Sequence, residues 1–396
     1  QMVSPPHPIA RLAYALAQYI NPNNHALDGG RASSAMEKEA VAQIAAMFGW
    51  QTFLGHLCGG GTMANLEALW VAKRLHPGKK VVASTQAHYT HARISEVLAL
   101  PFEAVPTNDR AQIDVRALEA ALQTGEVGTV VATIGTTATG SVDPLPQLLE
   151  LQAIYKFRIH ADAAYGGYFT LIDDLDPATR AAYDVLPQVD SIAIDPHKHG
   201  LQPYGCGCIL FRDPGVGRFY KHDSPYTYFS SAELHLGEIS LECSRPGAAA
   251  VALWATQRLL PPVRGGAFAA DLTRARQAGL ALHAKARADS RFMAAFAPEL
   301  DIVVWAPRAD RSSTVSQLAR ATFEAAAAEN LHLALANLPA ALLRSHWPDL
   351  TWDQDHVTCL RSCLMRPEHL EWIDRIWAAL ERAISHVRSA DQPGDG

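Results

Sequence analysis

The chain holds no uninterrupted apolar run of membrane-spanning length, and a spanning helix needs roughly 20 such residues. Its opening, Gln1-Met2-Val3-Ser4-Pro5-Pro6, lacks the basic start and apolar stretch of a secretory signal. Gln1 ahead of Met2 is expected to be an added residue. Cysteine is scarce: six are scattered at positions 58, 206, 208, 243, 359 and 363. That spread suits reduced thiols rather than a disulfide framework, so a cytoplasmic location is expected. No basic stripe is present and the net charge is −6, which argues against nucleic-acid binding. The pairs His88/His91 and His197/His199, with Cys206 and Cys208, have neither HExxH spacing nor paired CxxC motifs. No metal is expected from them. There is no internal repeat, and the only biased tract is the polar tail Ser389 to Gly396.

What remains is an ordinary globular composition, with 48% hydrophobic and 19% charged residues over 396 positions. Such a length can bury a large core and should form more than one domain. Three pieces are expected: 1–49 helical with an irregular, arm-like stretch from Asn21 to Ser34, 50–265 as a large domain, and 266–396 as a small C-terminal one. In the large domain, strands are expected at Val81–Ser84, Val130–Ile134, Arg158–Asp162, Ser191–Asp195 and Cys208–Arg212. Helical patterns between several of them imply βαβ units and a mainly parallel sheet. A break follows at Pro261-Pro262-Val263-Arg264-Gly265-Gly266. Beyond it come a helix from Leu272 to Asp289, strands at Ile302–Trp305, His332–Ala336 and Thr358–Leu364, and a helix from Pro367 to Val387. Open α/β sheets bind ligands at strand C-terminal ends, and the chemically suggestive motifs fall there.

The first motif is Ile194-Asp195-Pro196-His197-Lys198-His199-Gly200. A lysine just past a buried strand is costly unless used, and a desolvated amine is a nucleophile toward aldehydes such as pyridoxal phosphate. A lone lysine there would more often be a surface residue. Asp162, in His160-Ala161-Asp162-Ala163-Ala164-Tyr165-Gly166-Gly167, can pair with a pyridinium nitrogen, or simply cap a helix. Gly59-Gly60-Gly61-Thr62 opens a helix whose free amides suit a phosphate. Gly59, Gly61 and Ala64 also fit a dinucleotide fingerprint. That reading needs an acid after the next strand, where Ser84-Thr85-Gln86 has none; a nicotinamide-dependent oxidoreductase therefore ranks below a single phosphate group. His88, past the strand at Val81–Ser84, can lie flat on an aromatic ring.

Together these motifs resemble the group II pyridoxal-phosphate-dependent amino acid decarboxylases, in particular the short archaeal tyrosine/aspartate type. The resemblance is good over residues 5 to 260 and general beyond. It implies an α/β fold of pyridoxal-phosphate fold type I, aspartate aminotransferase-like, with a large mainly parallel sheet domain and a small C-terminal α/β domain. It implies Lys198 as the Schiff-base lysine and His197 beside it near the phosphate or substrate. Asp162 becomes the pyridinium partner, Ala164 the small residue against the ring, and His88 the stacking histidine. Thr137 lies near the ring hydroxyl, and Gly61 and Thr62 hold the phosphate. Tyr226, with Tyr228 as the competing candidate, becomes the loop proton donor. Arg245 matches an arginine after the mobile loop, or serves as a structural salt bridge. His199 stands where many members have tryptophan, and the N-terminal exchange arm is shorter than usual.

The implied reaction is decarboxylation of an L-amino acid to its amine through a Lys198 aldimine. The implied assembly is a homodimer with interfacial active sites. A lyase or an aldehyde-forming oxidative decarboxylase on the same scaffold is the alternative, and a non-catalytic ligand-binding relative is a further one. Tyr89, Tyr165, Tyr168 and Tyr204 could line an aromatic pocket, whereas His91, His199 and Arg31 could favour an acidic substrate side chain.

Overall fold

The computed structural model describes residues 2, 4–25, 27–221, 236 and 239–390. Two helices come first, α1 (Pro8–Gln18) and α2 (Leu27–Met47), the latter broken at Gly30. The stretch read as an irregular arm is therefore helical from Leu27 onward, and Asn24, Ser33 and Ser34 are buried. Gly29 and Gly30 hid this helix from the sequence pattern, because glycine is a poor helix former. Its C-terminal half packs Val41 and Ile44 into the core, and polar contacts hold the rest. The Asn24 side chain donates to the Ser33 carbonyl, and Glu37 Oε1 accepts from the Leu57 amide at 3.0 Å and from Arg245 Nη1 at 2.6 Å. Arg245 is thus a buried structural ion pair.

The large sheet then builds through β1 (Leu54–Cys58), α3 (Gly61–Leu75), β2 (Lys80–Ser84), α4 (Thr90–Val97), β3 (Phe102–Val105), α5 (Val115–Leu122), β4 (Val127–Thr133), α6 (Leu145–Tyr155), β5 (Arg158–Asp162), α7 (Pro177–Asp184), β6 (Ser191–Ile194) and β7 (Gly207–Phe211). Its seven strands run in the order β1-β7-β6-β5-β4-β2-β3. Pairings from β3 to β6 are parallel, while β7 is antiparallel to both β6 and β1. Every residue of β4, β6 and β7 is buried, as expected for strands covered on both faces. Neither β1 nor β3 was expected. The sequence of β1, Leu-Gly-His-Leu-Cys, has no β-branched residue, and β3 is a four-residue edge strand with one buried position.

After α8 (Gly247–Leu259), the Pro261–Gly266 turn leads into α9 (Ala267–Ala288). A second, antiparallel sheet follows, formed by β8 (Phe292–Ala294), β9 (Ile302–Pro307), β10 (Ala334–Pro339) and β11 (His356–Cys363), in the order β10-β11-β9-β8. The helices of this region are α10 (Ser312–Ala328), α11 (Ala340–Leu343), α12 (Glu368–Glu371) and α13 (Ile373–Ala390). The strand placed at His332–Ala336 is shifted forward to Ala334–Pro339, and the single last helix is divided near Trp372. Among the described residues no helix is long and apolar enough to cross a membrane.

One contact ties the second sheet to the loop carrying Lys198. His199 Nε2 lies 2.8 Å from Asp301 Oδ2, and the Tyr165 hydroxyl donates to Asp301 Oδ1 at 2.7 Å, all three side chains being buried. Removing a buried acceptor strands its donors at about 1–3 kcal/mol. Asp301→Ala should therefore lower unfolding stability by roughly that amount in a urea titration. A loss below about 0.5 kcal/mol, the level of a surface substitution, would show that the contact is not a tie.

Candidate active site

The parallel strands deliver their C-terminal ends to one cavity of about 550 Å³. Gly61, Thr62, His88, Thr137, Asp162, Ala164, His197 and Lys198 all line it. Tyr226 and Tyr228 lie outside the described residues. They arrive from five connections: Gly61 and Thr62 at the start of α3, His88 from β2 to α4, Thr137 after β4, Asp162 and Ala164 at the end of β5, and His197 and Lys198 after β6.

Asp162 is buried, and donors converge on it. His91 Nε2 lies 2.8 Å from Oδ2, the Asn65 amide donates to the same oxygen at 3.3 Å, and the Ala164 amide donates to Oδ1 at 3.2 Å. Behind Asn65 the chain continues. His160 Nε2 lies 2.8 Å from Asn65 Oδ1, and His160 Nδ1 lies 2.9 Å from Ser191 Oγ. Burial pushes His160 down to about 3, so its ring is neutral. Asn65 offers its oxygen to His160, so Nε2 carries the proton and Nδ1 accepts from Ser191. Every link then donates toward Asp162, an alignment in which the bonds polarise one another. Burial alone would raise Asp162; the hydrogen bond and charge of His91, with the charge of Lys198, outweigh it and hold the carboxyl well below the usual range.

Lys198, expected as a desolvated amine, has a carboxylate partner. Its Nζ lies 3.0 Å from Asp195 Oδ2, and His197 Nε2 lies 3.5 Å from the same oxygen. Asp195 also abuts the start of α3. A Cβ on Gly61 would sit 2.8 Å from Asp195 Oδ2, and one on Gly60 would sit 3.0 Å from His197 Cε1. Gly60 has φ +145°, a conformation side chains rarely adopt. No side chain caps this helix start, so its first-turn amides are open to an anion. A second carboxylate, Glu242, lines the cavity and accepts from the Gly59 amide at 3.1 Å. Burial lowers the affinity of both His88 and His197 for a proton.

Several expectations about specificity change. Tyr168 is buried, stacks edge-on against Phe268 and does not line the cavity. Tyr165 lines it, but its hydroxyl is committed to Asp301. Tyr204 is exposed beside His197, and exposed Tyr89 lies tilted against His88 with ring centroids 4.4 Å apart. Neither His91 nor His199 is available to an acidic substrate: both are buried against carboxylates of the protein itself. Arg31 is outside the lining. Sequence reasoning missed Asn65, His160 and Asp195 as members of the site. The alternation of β5 held a signal for one of them, since His160 and Asp162 share a strand face.

Residues 69–307 match the pyridoxal-dependent decarboxylase conserved domain. The match spans more than half of the chain, which belongs to this family of pyridoxal-phosphate decarboxylases. The chain is 34% identical over 227 residues to a probable L-aspartate decarboxylase of Halobacterium salinarum, covering 57% of this chain and 62% of that protein. It is 26% identical over 352 residues to an L-tyrosine decarboxylase of Enterococcus faecium, covering 64% of this chain and 57% of that protein. It thus spans less than two thirds of the length of either relative. The fold is that of pyridoxal-phosphate fold type I: the structure of Oryza sativa TDC with PLP and tryptamine superposes with TM-score 0.83 at 19% identity, over 97% of this chain and 82% of that one.

The family's cofactor is pyridoxal phosphate, and the cavity fits it. An ionised carboxylate suits a ring nitrogen, an amine suits an aldehyde, and an uncapped glycine-opened helix suits a phosphate. Gly61→Ala would drive a methyl group into Asp195 and disturb the Lys198 pair. Affinity for pyridoxal phosphate, followed by absorbance titration, should fall by roughly tenfold or more, about the worth of one charge-assisted hydrogen bond. Unchanged affinity would mean that the close approach at Gly61 is not part of the binding site.

Proposed function

We propose that this chain decarboxylates an L-amino acid to its amine, using pyridoxal phosphate held by Lys198, Asp162, the amides of Gly61 and Thr62, and the side chains of His88, Thr137, Ala164 and His197. The observation that carries this reading is one cavity lined by both an ionised buried carboxylate and a lysine. The cofactor supplies an aldehyde that captures the substrate's amine and a ring that takes up the electron pair left by departing carbon dioxide. Asp162 holds a proton on the ring nitrogen. Asp195 orients Lys198 Nζ, and the small Ala164 would leave room for the ring while His88 would pack against it. The proton returned to the substrate carbon comes from Tyr226 in the reading that the resemblance supports, and His88 is the donor available within the cavity.

Lys198→Ala should keep the fold and lose both turnover and the cofactor's near-visible absorbance. Incubation of the protein with each common L-amino acid, with amine, carbon dioxide, aldehyde and peroxide all measured, tests the reaction itself. Stoichiometric amine and carbon dioxide support decarboxylation. Aldehyde with peroxide from the unmodified protein would move the assignment to oxidative decarboxylation, and turnover by Lys198→Ala would overturn the lysine's role.

The same reading includes a homodimer. It rests on an exposed apolar ridge, Leu12 and Leu16 at 56% and 57% exposure on α1, with Tyr19 and Ile20 just beyond at 90% and 81%. These fall at helical spacing on one side, the kind of patch that a second copy covers. Leu16→Glu should shift the protein toward monomer in analytical ultracentrifugation. A wild-type monomer at assay concentration would exclude the dimer.

A further inference from the structure

Asp162 can serve a ring nitrogen only while the proton they share stays on the nitrogen. A carboxylate buried as deeply as this one is a strong base unless donors weaken it. Three groups donate to it among the described residues, and they differ. The Ala164 amide fixes Oδ1 from the backbone, and Asn65 offers a neutral amide at 3.3 Å. His91 makes the shortest contact, 2.8 Å, and its ring is fully buried. Because an ionised carboxylate only accepts, His91 must carry its proton on Nε2. Its Nδ1 meets no partner among the described residues, so nothing on the far side of the ring competes for that orientation.

The placement of His91 is set by the cavity itself. It lies in the first turn of α4, where its amide donates to the His88 carbonyl at 3.1 Å and the Thr90 amide reaches His88 Nδ1 at 3.3 Å. One turn therefore carries a histidine into the cavity and a second beneath the carboxylate. We propose that His91 is a positioning residue for the cofactor: through its bond to Oδ2 it keeps Asp162 a weak base, so that a proton shared with the ring nitrogen would rest on the nitrogen. The inference depends on pyridoxal phosphate being the cofactor, and it goes beyond that reading by assigning a residue that need not touch the ring.

The test compares two cofactors in binding, without turnover. Dissociation constants are measured for pyridoxal phosphate and for its analogue in which a C–H replaces the ring nitrogen. His91→Leu removes the donor and keeps the bulk. It should weaken pyridoxal phosphate by roughly tenfold or more, the worth of a hydrogen bond to a charged group. The analogue should be weakened by less than about twofold, since a mutational coupling needs both partners present. Equal losses for both cofactors, or no loss for either, would overturn the inference and leave His91 a packing residue. Should His91→Leu not fold, His91→Gln carries the test, because its amide can donate in place of Nε2. It should bind pyridoxal phosphate within about threefold of the unmodified protein; a folded glutamine variant that weakens both cofactors alike would also overturn it. Failure of the unmodified protein to bind either compound would overturn this inference together with the proposed function.

Discussion

A carboxylate at the buried end of a strand stays ionised only when donors converge on it, and the site is arranged around meeting that condition at Asp162. Desolvation of a lone charge costs several kcal/mol in a protein interior. Here the offset comes from four separate elements: His91 on α4, Asn65 on α3, the Ala164 amide after β5, and the Ser191–His160 relay across β6 and β5. Of these partners only His160 and Ala164 are close to Asp162 in sequence. The buried charge is therefore held by the assembled sheet and the helices packed on it, not by any one local segment.

A second charge problem is handled differently. Asp195 is buried beside the glycine turn that should receive an anion, where a bare carboxylate would repel it. Lys198 and His197 both approach Oδ2, and the positive end of α3 lies against it. Glycine at position 61 is what lets the carboxylate and the helix start come this close. The second sheet enters the same region through His199, whose link to Asp301 reaches the residue next to Lys198. The departure at position 199 from the tryptophan of many family members thus has a structural counterpart, a buried polar tie in place of a large apolar ring.

Much of this could be read from the sequence, and the limits have physical causes. β5 was legible to the residue, because Arg158–Asp162 ends in an acid that small residues follow. The parallel strands β2, β4 and β6 were found within a few residues because strands buried on both faces read as apolar runs. The first turns of α2 were hidden by two glycines and strand β1 by its lack of β-branched residues, since packing rather than local preference forms both. In the sequence His91 suggests a metal ligand, disfavoured by its spacing, or a group facing an acidic substrate side chain. A sequence shows a histidine one turn from His88, but it does not show that β5 brings a carboxylate beneath it. The groups read as specificity residues divide: Tyr89 and Tyr165 line the cavity and Tyr168 and Tyr204 do not, while the Tyr165 hydroxyl, His91 and His199 are engaged by carboxylates from distant parts of the chain.

The central claim is that Asp162 is ionised and keeps a proton on the ring nitrogen of bound cofactor. Magnetic resonance of pyridoxal phosphate carrying an isotope label at that nitrogen, bound to the unmodified protein, tests it directly. The account predicts the chemical shift of a protonated ring nitrogen, lost in Asp162→Asn. An unprotonated nitrogen in the unmodified protein would contradict it.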